Sequence, residues 1–492
     1  MSRKALICTI LTVLVLAALA WVLVAMPYRA QRQWDAAKAA LVARGEKMSL
    51  ADFPTPIIRD EDNFFADPIW WELADREVKI AESGTMRAPK VAEEKWQFAV
   101  FKSQFEPAER AALKADFSEF EPHLVGGSRH EVMSNVWKQA AASPGQARRA
   151  AELILRVQAP AELVLARLRE LSTRPDGWFP LDYSRGLSIP FDHATALLSA
   201  GKWLGLRVRM SLEMGDYPAA FQDAVLIYRL RAALGRDALF LPTLVEASLA
   251  DIFSDAIDRG IRVHAWTAEQ LQDFDRMLAT IDTPRRLAAA LRMERALMLD
   301  VAWPSFGGAE GAPSPVFDST AGAQLLWIYR TFWMPGDQAL YTDIVQREAE
   351  SLDAVPRQGM NPKFFPDHIE NYLLTHSSEY NKLSKIMTMM TLPAQSGVIT
   401  RAAKVQTVVL LTRAAIALEL HRMQHGEYPE SLAVLNPGKP GGIPLDLVTR
   451  EPFRYRRTDN GSFAMWSVGW NETDEGGLVS KKAAEADWAW GD

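Results

Sequence analysis

Between Ala5 and Met26 the chain runs for 22 residues without a charge. As a helix that run would reach about 33 Å, at ~1.5 Å per residue, which is enough to cross a bilayer. The expected first element is therefore a transmembrane signal anchor over residues 1–27, with everything else hung from it. Ala18-Leu19-Ala20 offers a cleavage site to the alternative, a removed signal peptide. The apolar core of such a peptide usually holds only ~7 to 15 residues, however. Arg3 and Lys4 precede the run while Arg29, Arg32, Lys38 and Arg44 come after it. Counting cations therefore does not set the orientation, and the signal-like order of the first residues is what favours a body outside the cytoplasm.

Beyond the anchor the chain reads as packed protein. Of the 492 residues 48% are hydrophobic and 24% charged, the balance of a globular chain with room for roughly three domains at ~150 residues each. A net charge of −6 leaves no basic footprint, so nucleic acid is not an expected partner. The one cysteine, Cys8, lies inside the apolar run. It excludes an intramolecular disulfide and a cysteine zinc site.

Residues 28–75 read as a membrane-proximal helix and stalk: helical from Gln31 to Gly45, then extended and proline-bearing to Asp62. Asp60-Glu61-Asp62-Asn63 stands before Phe64, Phe65, Ile69, Trp70 and Trp71, which reads as capping side chains ahead of an aromatic docking face. Helical periodicity dominates residues 76–304, the expected body, with breaks at Pro144-Gly145, Pro175-Asp176-Gly177, Pro190 and Pro242. Within it Gly215-Asp216-Tyr217-Pro218, followed by Ala220 and Ala224, resembles one tetratricopeptide hairpin, in which small residues let paired helices come close. A single readable copy makes a helical hairpin the main reading and a repeat scaffold the alternative. The glycines and prolines of 305–319 read as a linker or loop, and helical patterning continues over 320–397. There Leu325, Trp327, Phe332 and Trp333 belong to an apolar cluster expected in a buried helix.

The expected C-terminal module covers 398–480, leaving 481–492 as a tail. Val398 to His425 is apolar around most of its circumference, ends at Gly426, and carries His421 and His425 at the negative end of its dipole. Two short strands, Phe453–Arg457 and Ser462–Val468, flank Thr458-Asp459-Asn460-Gly461, a hairpin signal. Phe453, Tyr455, Phe463 and Met465 give the hairpin an apolar face, which should pack on the preceding helix because a lone hairpin is marginal in water.

This succession of helix, Tyr428-Pro429 turn, hairpin and glycine-rich end resembles the C-terminal domain of bacterial type II secretion major pseudopilins. The resemblance implies a small α+β fold and a calcium-binding loop after the last strand. It places the ligands at Ser467, Asn471 and Asp474, with Glu472 and Glu475 close by. Calcium takes ~6 to 8 oxygen donors, and a solvated acidic turn is the alternative reading of the same residues. The family's short leader, cut before a phenylalanine with a glutamate five residues on, is absent, and nothing between 30 and 395 resembles it. As a whole the layout resembles uncharacterised membrane-anchored bacterial envelope proteins in which this C-terminal pattern recurs, a family that brings no activity.

No catalytic signature is present: no G-x-S-x-G elbow, phosphate loop, H-E-x-x-H helix or G-x-G-x-x-G turn. Asp192-His193 and Asp367-His368 read as surface or capping pairs, and the 16 tryptophans as core. The expectation is a mainly α, single-pass protein of the bacterial inner membrane with a periplasmic body, acting as an interaction or scaffold protein. Its partners would be the membrane, through residues 5–26, and other envelope proteins, with no cofactor beyond the implied calcium. An envelope hydrolase with a site assembled from distant residues is one rival. A cytoplasm-facing tethered adaptor is the other.

Overall fold

A computed structural model describes residues 24–73, 127–236, 238–305, 320–362, 384–459, 461–479 and 486–491, with Val13 and short stretches between 78 and 120. It is mainly helical, with a small three-stranded antiparallel sheet of order β3-β4-β5 and a hairpin of β1 (Val78–Ile80) with β2 (Gly84–Met86). Among the described residues no helix is long and apolar enough to cross a membrane. The span expected over 5–26 falls almost wholly outside the described residues, as do the pair Asp367-His368 and the loop of 305–319 beyond Ser305.

α1 (Met26–Ala43) comes first, followed by α2 (Pro107–Asp116), α3 (Arg129–Ala140), α4 (Pro144–Gln158) and α5 (Glu162–Leu171). The centre is α6 (Asp192–Met214), α7 (Tyr217–Ala233) and α8 (Phe240–Arg262), then α9 (Ala268–Leu278) and α10 (Thr283–Leu297). α11 (Thr320–Ile328), a π-helical stretch Tyr329–Trp333 and α12 (Met334–Gln358) succeed one another without interruption. α13 (Ile386–His425), at 40 residues, packs on α8, α9, α10 and α12.

The expected hairpin is α6–α7. Gly215 takes the left-handed conformation (φ 79°) that ends α6, and its N–H and that of Asp216 cap the Leu212 and Ser211 carbonyls. Asp216 Oδ1 then accepts the Ala219 N–H to start α7. Gly201 and Gly205, one turn apart on α6, bring it against α8: a Cβ on either would lie within 2.2 Å of Leu249 Cδ2 or 2.7 Å of Ile252 Cγ2. The main core forms around these helices and takes in Phe64, Phe65, Ile69 and Trp70 from the N-terminal side. Asn63 docks that aromatic segment, its Oδ1 accepting the N–H groups of Phe65 and Trp178.

Three expectations about boundaries change. The stretch read as a stalk is built into the body: Trp34 and Met48 are buried in a second core with α10 and α12. Glu46 is locked in a network there, accepting from Arg292 Nε (3.0 Å), Arg295 Nη2 (3.1 Å) and Gln346 Nε2 (2.8 Å). The helix of the C-terminal module begins at Ile386, not Val398, and its flanks are shared with the body. Near the end of that helix Glu419 is buried and accepts from Arg422, Tyr428 and His264.

The residues read as a tail supply the third strand. β3 (Arg454–Arg457) pairs with β4 (Phe463–Ser467), and β5 (Trp488–Ala489) lines up with Ser467 and Trp466 on the other side of β4. At the connection the Thr458 N–H bonds Ser462 O, and Gly461, at φ 76°, bonds Thr458 O through its N–H. Phe453, Phe463 and Met465 are buried against α13 as expected.

Candidate functional site

A polar groove of about 860 Å³ lies where α3 faces α6 and α8. Capping fixes α3: Ser128 Oγ accepts the Glu131 N–H while the Glu131 carboxylate accepts the Gly127 and Ser128 N–H groups. The α3 face turned to the groove carries His130 and, one turn on, Ser134, whose Oγ is 3.5 Å from His130 Nε2. Lys202 and Arg209 come from α6, Asp251 and Asp255 from α8. Arg209 Nη2 and Arg259 Nε both bond Asp255, each at 2.9 Å.

Electrostatics sets the state of these groups. Burial, reinforced by the nearby charges of Lys202 and Arg209, pushes the His130 imidazole down to about 4, against a main-chain bond at Lys202 that favours the cation. The ring is therefore neutral at physiological pH. Asp255 is pushed up by burial but held below the usual carboxylate range by Arg209 and Arg259. The groove thus presents a neutral imidazole beside a hydroxyl, among cations and carboxylates. It can accept and donate hydrogen bonds, and it can hold a charged ligand.

None of these residues stood out in the sequence. The signal was spacing: 130 and 134 on one helix, 251 and 255 on another, each a turn apart. Helical spacing alone puts two side chains on one face but does not say which other helix that face meets.

The residues assigned by resemblance lie elsewhere, around the end of β4. Ser467 is buried there, its hydroxyl bonded to Asp446 and its Oγ accepting the Gly469 N–H. Asn471 donates to Glu475 Oε1 (2.8 Å) and accepts from Thr473 N–H. Asp474 Oδ1 accepts from Trp466 Nε1 and Gly476 N, both at 3.0 Å, and its Oδ2 stands 3.3 Å from Arg454 Nε. The chain already engages each donor, and a cation stands beside the one carboxylate of the three. Among the described residues no group of three or more His, Cys, Asp or Glu converges as metal ligands.

Histidines singled out in the sequence have structural places. His421 and His425 stack at 4.0 Å and lie against the main-chain carbonyls of Glu427 and His421, the helix-end role expected for them. His193, read as a surface residue, is buried and stacks on Phe179 at 4.2 Å.

A second groove, of about 890 Å³, runs between α1 and α12. Its sides are small and charged by turns: Ala37 and Ala40 on α1 with Arg44 just past its end, and Ala339, Asp343 and Arg347 on α12. Arg44 forms an ion pair with Glu350 across it.

Comparison with known proteins found no family model, no curated protein and no solved structure that matches this chain.

Proposed function

We propose that this chain is a membrane-anchored scaffold of the bacterial envelope, held by residues 5–26 and binding other envelope proteins through its helical body. One observation carries the reading. α1 begins at Met26, where the uncharged run ends, and lies along α12 with no spacer between. The groove beside this attachment has alanines on both walls, which allow another helix to approach closely, and charges of both signs to fix its register. The partner class that suits it is an amphipathic helix of a neighbouring envelope protein. The pseudopilin-like order of the C-terminal elements supports the periplasmic side for the body.

The test is a pair of measurements on the full chain. A reporter active only outside the cytoplasm, fused after Gly491, should be active, and silence would transfer the body to the cytoplasm. A photo-crosslinker at Ala37 should capture discrete membrane proteins that are no longer captured when Ala40→Trp, filling the groove, is added. Equal recovery with both chains removes this groove from the reading.

The His130–Ser134 pair favours a second reading, an envelope serine hydrolase, since a neutral imidazole is the form that can take a hydroxyl proton. Serine-directed phosphonate should then label the wild type and spare Ser134→Ala. Absence of labelling leaves the groove a binding surface.

A further inference from the structure

The end of the body next to the anchor carries an apolar surface that the core does not explain. Trp327 on α11 is 59% exposed, Leu325 39% and Tyr28 on α1 63%. Phe332 packs edge-on against Trp327 at 5.7 Å between ring centres. α11 has no charged side chain along its length. The apolar cluster there was expected to be buried, but its Leu325 and Trp327 face outward.

Helix geometry places this surface. Arg44, just past the end of α1, pairs with Glu350 on α12, and the π-helical stretch Tyr329–Trp333 before α12 also touches α1. Glu350 is 17 residues beyond Trp333, about 26 Å along a helix at ~1.5 Å per residue. Counting the same distance back along α1 from Arg44 reaches its first residues. Only a parallel arrangement satisfies both contacts, so α11 lies at the N-terminal end of α1, where the uncharged run joins it. Arg29 and Arg32 are exposed on that end of α1, and Arg330 is exposed beside Trp327.

We propose that this end of the body is seated on the bilayer surface, with Trp327, Leu325 and Tyr28 at headgroup depth and Arg29, Arg32 and Arg330 meeting anionic phospholipid. Tryptophan and tyrosine suit that depth because an apolar ring carries a polar edge. Continuity with the membrane-spanning run selects lipid over protein as the occupant, and the proposal rests on the anchor reading. Lipid contact would fix the tilt of the body, which a single spanning helix leaves free to swivel.

The test uses the full chain with Cys8→Ser, reconstituted in phosphatidylcholine–phosphatidylglycerol vesicles, and a polarity-sensitive fluorophore on Trp327→Cys. The control is the same label on Val434→Cys. α13 starts beside this end, where the Met387 N–H bonds Asp337 Oδ2, and runs 40 residues before Val434. Val434 lines a groove with Ile416 and Leu420, 30–34 residues along α13 from its start, which places the control about 45–50 Å away at ~1.5 Å per residue. A lipid-borne shallow quencher should reduce emission at 327 roughly twofold and leave 434 unchanged. Leu325→Cys should report as 327 does, which guards against a local effect of losing the indole. Equal quenching at 327 and 434 in a chain that resists alkaline extraction overturns the seating and leaves the anchor standing. A chain that washes off in alkali overturns both.

Discussion

The two ends of the body are fastened by inward-facing carboxyl groups in opposite ways. At the N-terminal attachment Glu46 is bonded by Arg292, Gln346 and Arg295, and Arg295 is itself fully buried. Burial pushes the Glu46 carboxyl up, but those bonds outweigh it and hold it down at about 2. At the C-terminal attachment Asp258, fully buried where Glu46 is part-buried, accepts from Trp490 Nε1 (2.6 Å) and Thr412 Oγ1 (3.2 Å), both neutral donors. Burial, with repulsion from Asp255, pushes it up to about 8. One carboxylate is kept charged by the guanidinium groups bonded to it and the other kept neutral by burial, which outweighs the nearby charge of Arg262. A fastening through charge is strong and brittle, whereas one through a protonated acid and an indole is weaker and answers to pH.

The most severe challenge to this contrast is Glu46→Leu. It leaves Arg295 buried without its carboxylate and should cost about 3–5 kcal/mol, read as a lowered denaturation midpoint in detergent. A loss under ~1 kcal/mol would mean that water already reaches the site. Trp490→Phe, which keeps the stack on Phe463 (4.5 Å) and removes only the donor to Asp258, should cost about 1–3 kcal/mol by the same assay.

Opposite pH slopes should separate the two ends further. Glu46, with its folded pKa depressed, stabilises fully above its ordinary value of 4.5 and loses that contribution as pH falls toward about 2. Asp258, with its folded pKa raised, stabilises fully below 3.8 and loses that contribution as pH rises through about 8. Hydrogen exchange at residues 486–491 should therefore speed up between pH 4 and 8 beyond its intrinsic dependence, and Asp258→Asn should flatten that excess. Residues 44–52 should show no excess over that range, and a matching rise there would refute the distinction. The smallest expected effect is that of calcium. With the loop donors already engaged, adding calcium or a chelator should move the Tm by under about 1 °C, and a larger shift would restore the loop as a metal site.

Legibility depended on range. Gly215 and Asp216 mark the α6–α7 turn because a left-handed cap and an N-cap act over a few residues, and Phe463 and Met465 alternate visibly because strand period is local. The start of α13 was misplaced because Pro393 and Gly397 read as breakers just ahead of Val398, whereas the helix runs through both. Nor was β5: two residues carry no period, and Trp488 and Trp490 in a charged, alanine-rich stretch read as tail until Phe463, Arg262 and Asp258 are placed around them.

By itself the sequence determined the helical class, the small C-terminal hairpin and a membrane-length apolar run, because each is written in periodicity or length within one segment. Tertiary structure alone decided that the stalk and tail belong to the body, that His130 meets Lys202 and Arg209, and that Glu46 and Asp258 hold opposite charge states. Those outcomes depend on which faces meet across as many as 306 residues, and burial and Coulomb interaction act on distance in space, not on distance along the chain.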